Sequence, residues 1–263
     1  MSGRFLFMCN FEKTIFLDHI IGNKTINIAI IAAAVVLGAF ILSSGWVKSK
    51  QQNQTIAVTG SAQQDFVSDL IVWNGYYSRN NYSLQDANAQ LKADAETIRK
   101  YLLKNGVKQN EIKFSAVSIQ KNYKTITNSD YSRTETFDGY NLSQTVTIES
   151  KNVDKLESLS REVTQLIDQG IELTSETPSY LYTKLADLKH ELISNATKDA
   201  SSRAEKVATN AGSALGKLRK ADLGIFQITG QNSTEDYTYG GAYNTSSKNK
   251  TITVTVKLQF GIN

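Results

Sequence analysis

KLADLKHELISNATKDASSRAEKVATNAGSALG, residues Lys184–Gly216, decides the fold. Apolar or small residues recur at Leu185, Leu188, Leu192, Ala196, Ala200, Ala204, Val207, Ala208, Ala211 and Leu215. The steps are mostly three or four residues, which predicts one long helix. Beyond Leu192 the stripe is mostly alanine. An alanine face lets a helix backbone approach its neighbour closely, whether that neighbour is a sheet or a helix of another copy. The opposite face carries Lys184, Asp187, Glu191, Lys198, Asp199, Arg203 and Lys206 and suits water. Gly212 and Gly216 punctuate the end.

Working outward towards the N-terminus, the same reasoning predicts two more helices. Ser83 with Asp86 three residues on opens one at Leu84–Asn105, stopped by Gly106. Val153–Gln169 buries Val153, Leu156, Leu159, Val163, Leu166 and Ile167 and stops at Gly170. Strands are predicted at Thr55–Gly60, Phe66–Tyr77, Glu111–Thr127, Phe137–Ser150, Ile171–Tyr182, Leu218–Thr229 and Thr251–Phe260. Pro178, the single proline, belongs at an edge or a bulge. TITVTVKLQF at Thr251–Phe260 alternates strictly and has one wet face. Phe66–Tyr77 carries apolar residues on both parities, which implies cover on both sides. The predicted fold is α+β, ordered β-β-α-β-β-α-β-α-β-β: a mainly antiparallel sheet with three helices packed on one face, preceded by one transmembrane helix.

Ile26–Val47 has no charge over 22 residues, enough to cross a hydrocarbon core. Trp46, Lys48 and Lys50 stand where interfacial anchors belong. The segment before it is long and no A-x-A site follows, so an uncleaved signal anchor is expected. The division is 1–25 a short cytosolic segment, 26–47 the anchor, 48–53 a stalk and 54–263 one globular domain. Arg4, Lys13 and Lys24 precede the span and favour a cytosolic N-terminus. The expected location is the inner membrane, single-pass, with the C-terminal domain periplasmic or extracytoplasmic.

Net charge is +4 with no Lys/Arg-rich run, which gives no case for nucleic acid. Cys9 is the only cysteine, so no intramolecular disulfide forms. The histidines are His19 and His190, and His190 falls on the polar helix face. No spacing suits zinc, and there is no Walker A, G-x-G-x-x-G or G-x-S-x-G sequence. The chain therefore offers no catalytic, metal or cofactor residue. Asp65 and Asp69 could pair near the second strand, and Tyr76, Tyr77 and Tyr82 could form a sugar or peptide platform. Gly230–Lys250 is a polar insertion with Tyr237, Tyr239 and Tyr243 around Gly240-Gly241, a candidate ligand loop.

TIAVTGSA at Thr55–Ala62, LLKNGVKQNEIKFSAVSI at Leu102–Ile119, FDGYNLSQTVTI at Phe137–Ile148, LIDQGIE at Leu166–Glu172 and AGSALGKL at Ala211–Leu218 together resemble the SIMPL family of bacterial envelope proteins. The likeness spans Gln54 to about Phe260. Gln64 stands where many relatives have proline, and Glu111-Ile112-Lys113-Phe114 replaces a D-I-x-T turn. The resemblance implies no catalytic residues, assembly into oligomers in some relatives, and a link to envelope or oxidative stress.

The expected function is that of a non-enzymatic, membrane-anchored envelope protein that self-assembles and serves envelope integrity or stress response. Its candidate homo-oligomer interface is Ile71, Trp73, Ala196, Ala200 and Ala204. The alternative is a monomeric binding module that takes a peptide or glycan on Tyr237, Tyr239 and Tyr243.

Overall fold

The computed structural model describes residues 28–45, 54–127, 131 and 133–262. The cytosolic segment, both ends of the anchor and the stalk read from the sequence lie outside the described residues. Four α-helices and ten strands are described. In chain order they are α1 (Ile28–Gly45), β1 (Thr55–Val67), β2 (Leu70–Asn81), α2 (Leu84–Lys104), β3 (Ile112–Phe114), β4 (Ser118–Thr127), β5 (Arg133–Ser150) and α3 (Val153–Glu162). Then follow β6 (Thr174–Ser175), β7 (Ser179–Leu181), α4 (Leu185–Asn210), β8 (Leu215–Leu223), β9 (Gln227–Gly230) and β10 (Asn249–Ile262).

The α+β class is as expected, but the strands form two sheets rather than one. A four-stranded sheet runs β1-β10-β8 with β9 also on β10; a six-stranded sheet runs β3-β5-β2-β6 with β4 on β5 and β7 on β2. The pairings that define the six-stranded sheet are antiparallel, for example Trp73 opposite Ile148 and Tyr77 opposite Gln144. Phe66–Tyr77 is therefore not one strand. The chain leaves β1 after Val67 and enters β2 at Leu70, so apolar residues on both parities belong to two strands in two sheets.

By contacts the chain groups into two compact units: Met1–Val58 with Ala204–Ala221 and Gln259–Asn263, and Thr59–Arg203 with Asp222–Leu258. In the larger unit, α2 packs on β2 and β5 and α3 packs on β2. Their seam buries Ile71, Trp73, Tyr77, Leu91, Ile98, Leu102, Val146, Ile148, Leu156 and Leu166. The Trp73 indole N–H donates to Ser175 Oγ at 2.9 Å, so the largest core side chain leaves no polar atom unpaired. Ser83 Oγ accepts from the Asp86 amide and Asn152 Oδ1 from the Lys155 amide, which satisfies orphan donors at the starts of α2 and α3. Past Glu162 the predicted third turn tightens into a 3₁₀ segment, Val163–Gln169, stopped by Gly170 at φ 74°.

The stripe of α4 meets β1. A Cβ placed on Gly60 would lie 2.4 Å from both Ala196 O and Ala200 N, so only glycine admits the helix there. Next to it the Ser61 amide donates to Asp199 Oδ2 at 2.9 Å. The three domain helices thus serve different sheets: α2 and α3 the six-stranded one, α4 the strand β1. Ile71, Trp73, Ala196, Ala200 and Ala204 are each 0% exposed within one copy. They are interior residues and leave no surface to offer a second chain.

In the smaller unit, the Ile262 amide donates to Gln54 O at 3.1 Å and Gln259 Nε2 to Thr55 Oγ1 at 2.7 Å. The end of β10 is thereby tied to the start of β1. Ala208 is buried there, on the last turns of α4.

Candidate functional site

The four-stranded sheet has an open side, and a polar cleft of about 470 Å³ lies on it. Gln63 and Asp65 of β1, Thr229 and Gly230 of β9 and Thr251 of β10 line it from the strands; Asn232, Ser233, Glu235, Asp236 and Tyr237 line it from the loop between β9 and β10. Period two puts them there. Gly60 faces α4, so the odd-numbered Gln63 and Asp65 point the other way. The Asp65 carboxylate accepts from Thr251 Oγ1 at 2.6 Å and Gln231 Nε2 at 2.9 Å. These two hydrogen bonds hold it below the usual carboxylate range and keep it charged.

The loop is tied down by its own side chains. Gln227 Oε1 accepts from the Thr238 and Ala242 amides at 3.3 and 2.7 Å, while its Nε2 donates to Thr238 O at 2.9 Å. Glu235 accepts from the Gly230 amide at 3.0 Å and from Asn244 Nδ2. The Ile228 amide donates to Ala242 O, and the Asn244 amide to Ile228 O. A segment that lacks hydrophobic period thus gains a defined path from polar contacts.

The three loop tyrosines do not converge. Tyr237 lines the cleft, its hydroxyl 3.4 Å from Thr253 Oγ1. Tyr239 is 99% exposed, and Tyr243 borders a small enclosed void with Phe66, Tyr182 and Lys250. Asp69 does not pair with Asp65. Its carboxylate accepts from the Thr183 amide at 2.7 Å and hydroxyl at 2.6 Å. Burial raises its pKa, and these hydrogen bonds outweigh that and leave it below the ordinary value. His190 is exposed on α4.

The suggested platform of Tyr76, Tyr77 and Tyr82 also divides. Tyr77 is buried, with its hydroxyl 2.5 Å from Gln144 Oε1, and burial pushes its pKa well up. Tyr82 joins a different aromatic row on the β4–β5 hairpin. The Phe137 ring centroid lies 6.3 Å from Tyr82, 6.1 Å from Tyr123 and 5.1 Å from Tyr140. Ile119, Tyr123, Ile126 and Phe137 on this hairpin are all exposed.

Two features have no signal in the sequence. Lys250 is 3% exposed, and its ammonium donates to Ser68 Oγ at 3.1 Å and Tyr180 O at 2.7 Å. No carboxylate stands within ion-pair distance in the described residues, and burial pushes its pKa down to about 8 against a weak opposing pull from Glu235. Arg79 makes a bidentate pair with the buried Asp94 at 2.5 and 2.9 Å and also reaches Gly170 O at 2.7 Å.

These elements define an α+β domain of two antiparallel-rich sheets, carried behind an apolar helix long enough to cross a membrane: α1 has mean hydropathy 2.4 over 18 residues and is unburied. The profile of the SIMPL family, described as a protein of unknown function (DUF541), matches residues 56–260, and the chain belongs to that family. The matched span takes in β1 through most of β10, and so both sheets and the cleft. A search of curated proteins found no match.

Proposed function

We propose that this chain is a single-pass membrane protein whose SIMPL domain works on the extracytoplasmic side by binding, not by catalysis. The cleft beneath the Tyr237 loop carries the reading: it is large enough for a disaccharide or dipeptide and walled by polar groups. Asp65, Glu235 and Asp236 contribute carboxylates and no lysine or arginine lines it. That chemistry favours a short hydroxyl-rich ligand with a cationic group, either an amino sugar oligomer or a basic peptide. Tyr237 supplies one ring edge for stacking. Service to envelope integrity or stress response would follow from what the cleft holds.

The test is calorimetric titration of the full chain in detergent with chitosan oligomers and with short lysine peptides. Asp65→Asn and Tyr237→Ala should each weaken binding about tenfold, the loss of one charge-assisted contact or one ring face. No heat with either ligand class, or binding that ignores both substitutions, would sink the proposal.

Self-assembly is a second reading, favoured by the hairpin and not by the buried residues named from sequence. Ile119, Tyr123 and Phe137 are exposed on one face of the β4–β5 hairpin and Ile126 on the other. Light scattering of the full chain should give a multimer that Tyr123→Ser/Phe137→Ser dissociates. A monomer at high concentration removes this reading.

A further inference from the structure

A second cavity, of about 400 Å³, lies where the loop after α2 meets the turn from β5 into α3. Its charged lining is Lys108, Lys151 and Lys155 against Glu111 alone. The excess is cationic, the reverse of the carboxylate-lined cleft beneath Tyr237. Val107 and Leu156 add apolar wall. One side of the cavity, Gly106 to Glu111, belongs to the stretch LLKNGVKQNEIKFSAVSI, which the Tyr237 cleft does not use.

The carboxylates around this cavity are already engaged. Glu111 Oε2 accepts from the Lys108 amide at 2.9 Å, and its Oε1 accepts from Ser150 Oγ at 3.0 Å. Ser150 Oγ in turn accepts from the Asn152 amide at 3.1 Å, so this acid ties the two walls together. On α3, Asp154 pairs with Lys248, and Glu157 with Arg161 and Lys248. On β5, Glu149 pairs with Lys113. Asp69 feels Lys151 at longer range, but its carboxylate is taken by the Thr183 amide and hydroxyl. The carbonyls that end α2 are also occupied: Tyr101 O by the Asn105 amide, Leu102 O by the Val107 amide and Leu103 O by the Gly106 amide. That closure sets Gly106 at φ 79°, and a Cβ there would collide with the Lys155 ammonium, which lies over the glycine. Among the described residues, Lys108, Lys151 and Lys155 form no ion pair.

Cations gathered round one recess raise a positive potential there and concentrate an anion. Three lysines against one carboxylate match a dianion. Lysine meets phosphate as a compact point charge, and no arginine fork lines the cavity to favour a carboxylate. The volume admits more than the phosphate itself, and Val107 and Leu156 offer surface to an organic group on the ester oxygen.

We propose that Lys108, Lys151 and Lys155 form a binding site for the phosphate monoester of a small sugar. The dianion sits among the three ammonium groups, and the sugar lies on Val107 and Leu156. The site is separate from the Tyr237 cleft and stands or falls without it.

The experiment is calorimetric titration of the full chain in non-ionic detergent and phosphate-free buffer, with glucose 6-phosphate and with inorganic phosphate. Glucose 6-phosphate should bind, and more tightly than inorganic phosphate. K151Q/K155Q should weaken it tenfold or more, with an unfolding curve that matches the parent's. K92Q is the charge control: Lys92 is exposed on α2, roughly 20 Å along the helix from its end, and its loss should leave binding unchanged. A second measurement needs no variant. Bound glucose 6-phosphate should slow acetylation of Lys108, Lys151 and Lys155, read by mass spectrometry, and not that of Lys92. No heat with glucose 6-phosphate, equal weakening by K92Q and K151Q/K155Q, or unchanged acetylation of the three lysines overturns the site. Equal affinity for the two probes assigns the cavity to free phosphate and overturns the ester.

Discussion

Substituting Gly60→Ala should be among the most damaging single-methyl additions to this protein. The new Cβ would sit 2.4 Å from Ala196 O, 2.4 Å from Ala200 N and 2.7 Å from Ala200 Cβ, where ordinary contact begins at 3.4 Å. Two of the three obstructing atoms are helix backbone and cannot rotate away. Relief requires α4 to move off β1 by about 1 Å, which loosens the buried Leu188, Leu192, Ala196 and Ala200 and stretches the Ser61–Asp199 hydrogen bond. Overpacking of this kind costs about 1–3 kcal/mol, and backbone obstruction puts this site near 3 kcal/mol. Gly170→Ala is the comparison. Gly170 has φ 74° with nothing within 4 Å of its added Cβ, so only the left-handed conformation is penalised, at about 1 kcal/mol. Urea unfolding of the full chain in detergent, followed by circular dichroism, measures both. Adding Ala200→Gly to Gly60→Ala removes the 2.7 Å contact and leaves both 2.4 Å contacts, so it should not rescue. A Gly60→Ala loss below about 1 kcal/mol, or full rescue by Ala200→Gly, would show that α4 is not seated this way.

Lys250 sets a pH dependence. Its folded pKa of about 8 lies below the ordinary lysine value of 10.5, so between those values the unfolded chain binds a proton that the folded chain lacks, and stability rises with pH through that window. The gain is at most about 3 kcal/mol. Lys250→Met should flatten it in unfolding curves taken from pH 8 to 10.5, and identical pH slopes for the two proteins would refute the assignment. Asp94→Ala leaves the Arg79 guanidinium against the core edge with only Gly170 O; since Arg79 is one-third exposed and can turn to water, the loss in unfolding free energy should be about 2 kcal/mol, short of the full penalty for a buried ion. Trp73→Glu places a carboxylate in a site with 0% exposure, so global loss of near-ultraviolet dichroism is expected, whereas a folded but dissociated protein would return Trp73 to an interface role.

What was legible in the sequence was what local period and local chemistry determine. Ile252, Val254, Val256, Leu258 and Phe260 are buried as their alternation predicts, and Ser83 caps α2 as its spacing predicts. The alanine stripe of α4 announced a close approach, yet the partner, Gly60, stands more than a hundred residues away in the chain. The break between β1 and β2 carries no glycine or proline. Distant groups make it: the Ser68 amide donates to Lys248 O, the Asp69 amide to Leu181 O, and the Asp69 carboxylate takes Thr183. The one strand expected over Ile171–Tyr182 is two short ones, β6 and β7, and Pro178 lies between them at the edge of the six-stranded sheet, where a missing amide costs nothing. The cleft was invisible for the reason the strand break was. Asp65, Gln231 and Thr251 meet only because β1, β9 and β10 share a sheet, and no spacing along the chain records that.

One strand, β1, carries both the seat of the helix and the wall of the cleft, and its pleat keeps them apart. Gly60 is buried against α4, while Gln63 and Asp65 are exposed on the other parity. β10 repeats the division: Ile252, Val254 and Val256 are buried, and Thr251 and Thr253 face the open side where the cleft lies. A side chain on the cleft parity can therefore change without touching the packed face. Asp65→Asn or Thr251→Val should leave the unfolding midpoint close to that of the parent and alter only what the cleft holds. Gly60→Ala should do the reverse, with ligand affinity preserved in whatever fraction stays folded. Side chains on one parity of this sheet are free to vary while the other parity keeps the fold, so the chemistry of its open side is set independently of the architecture.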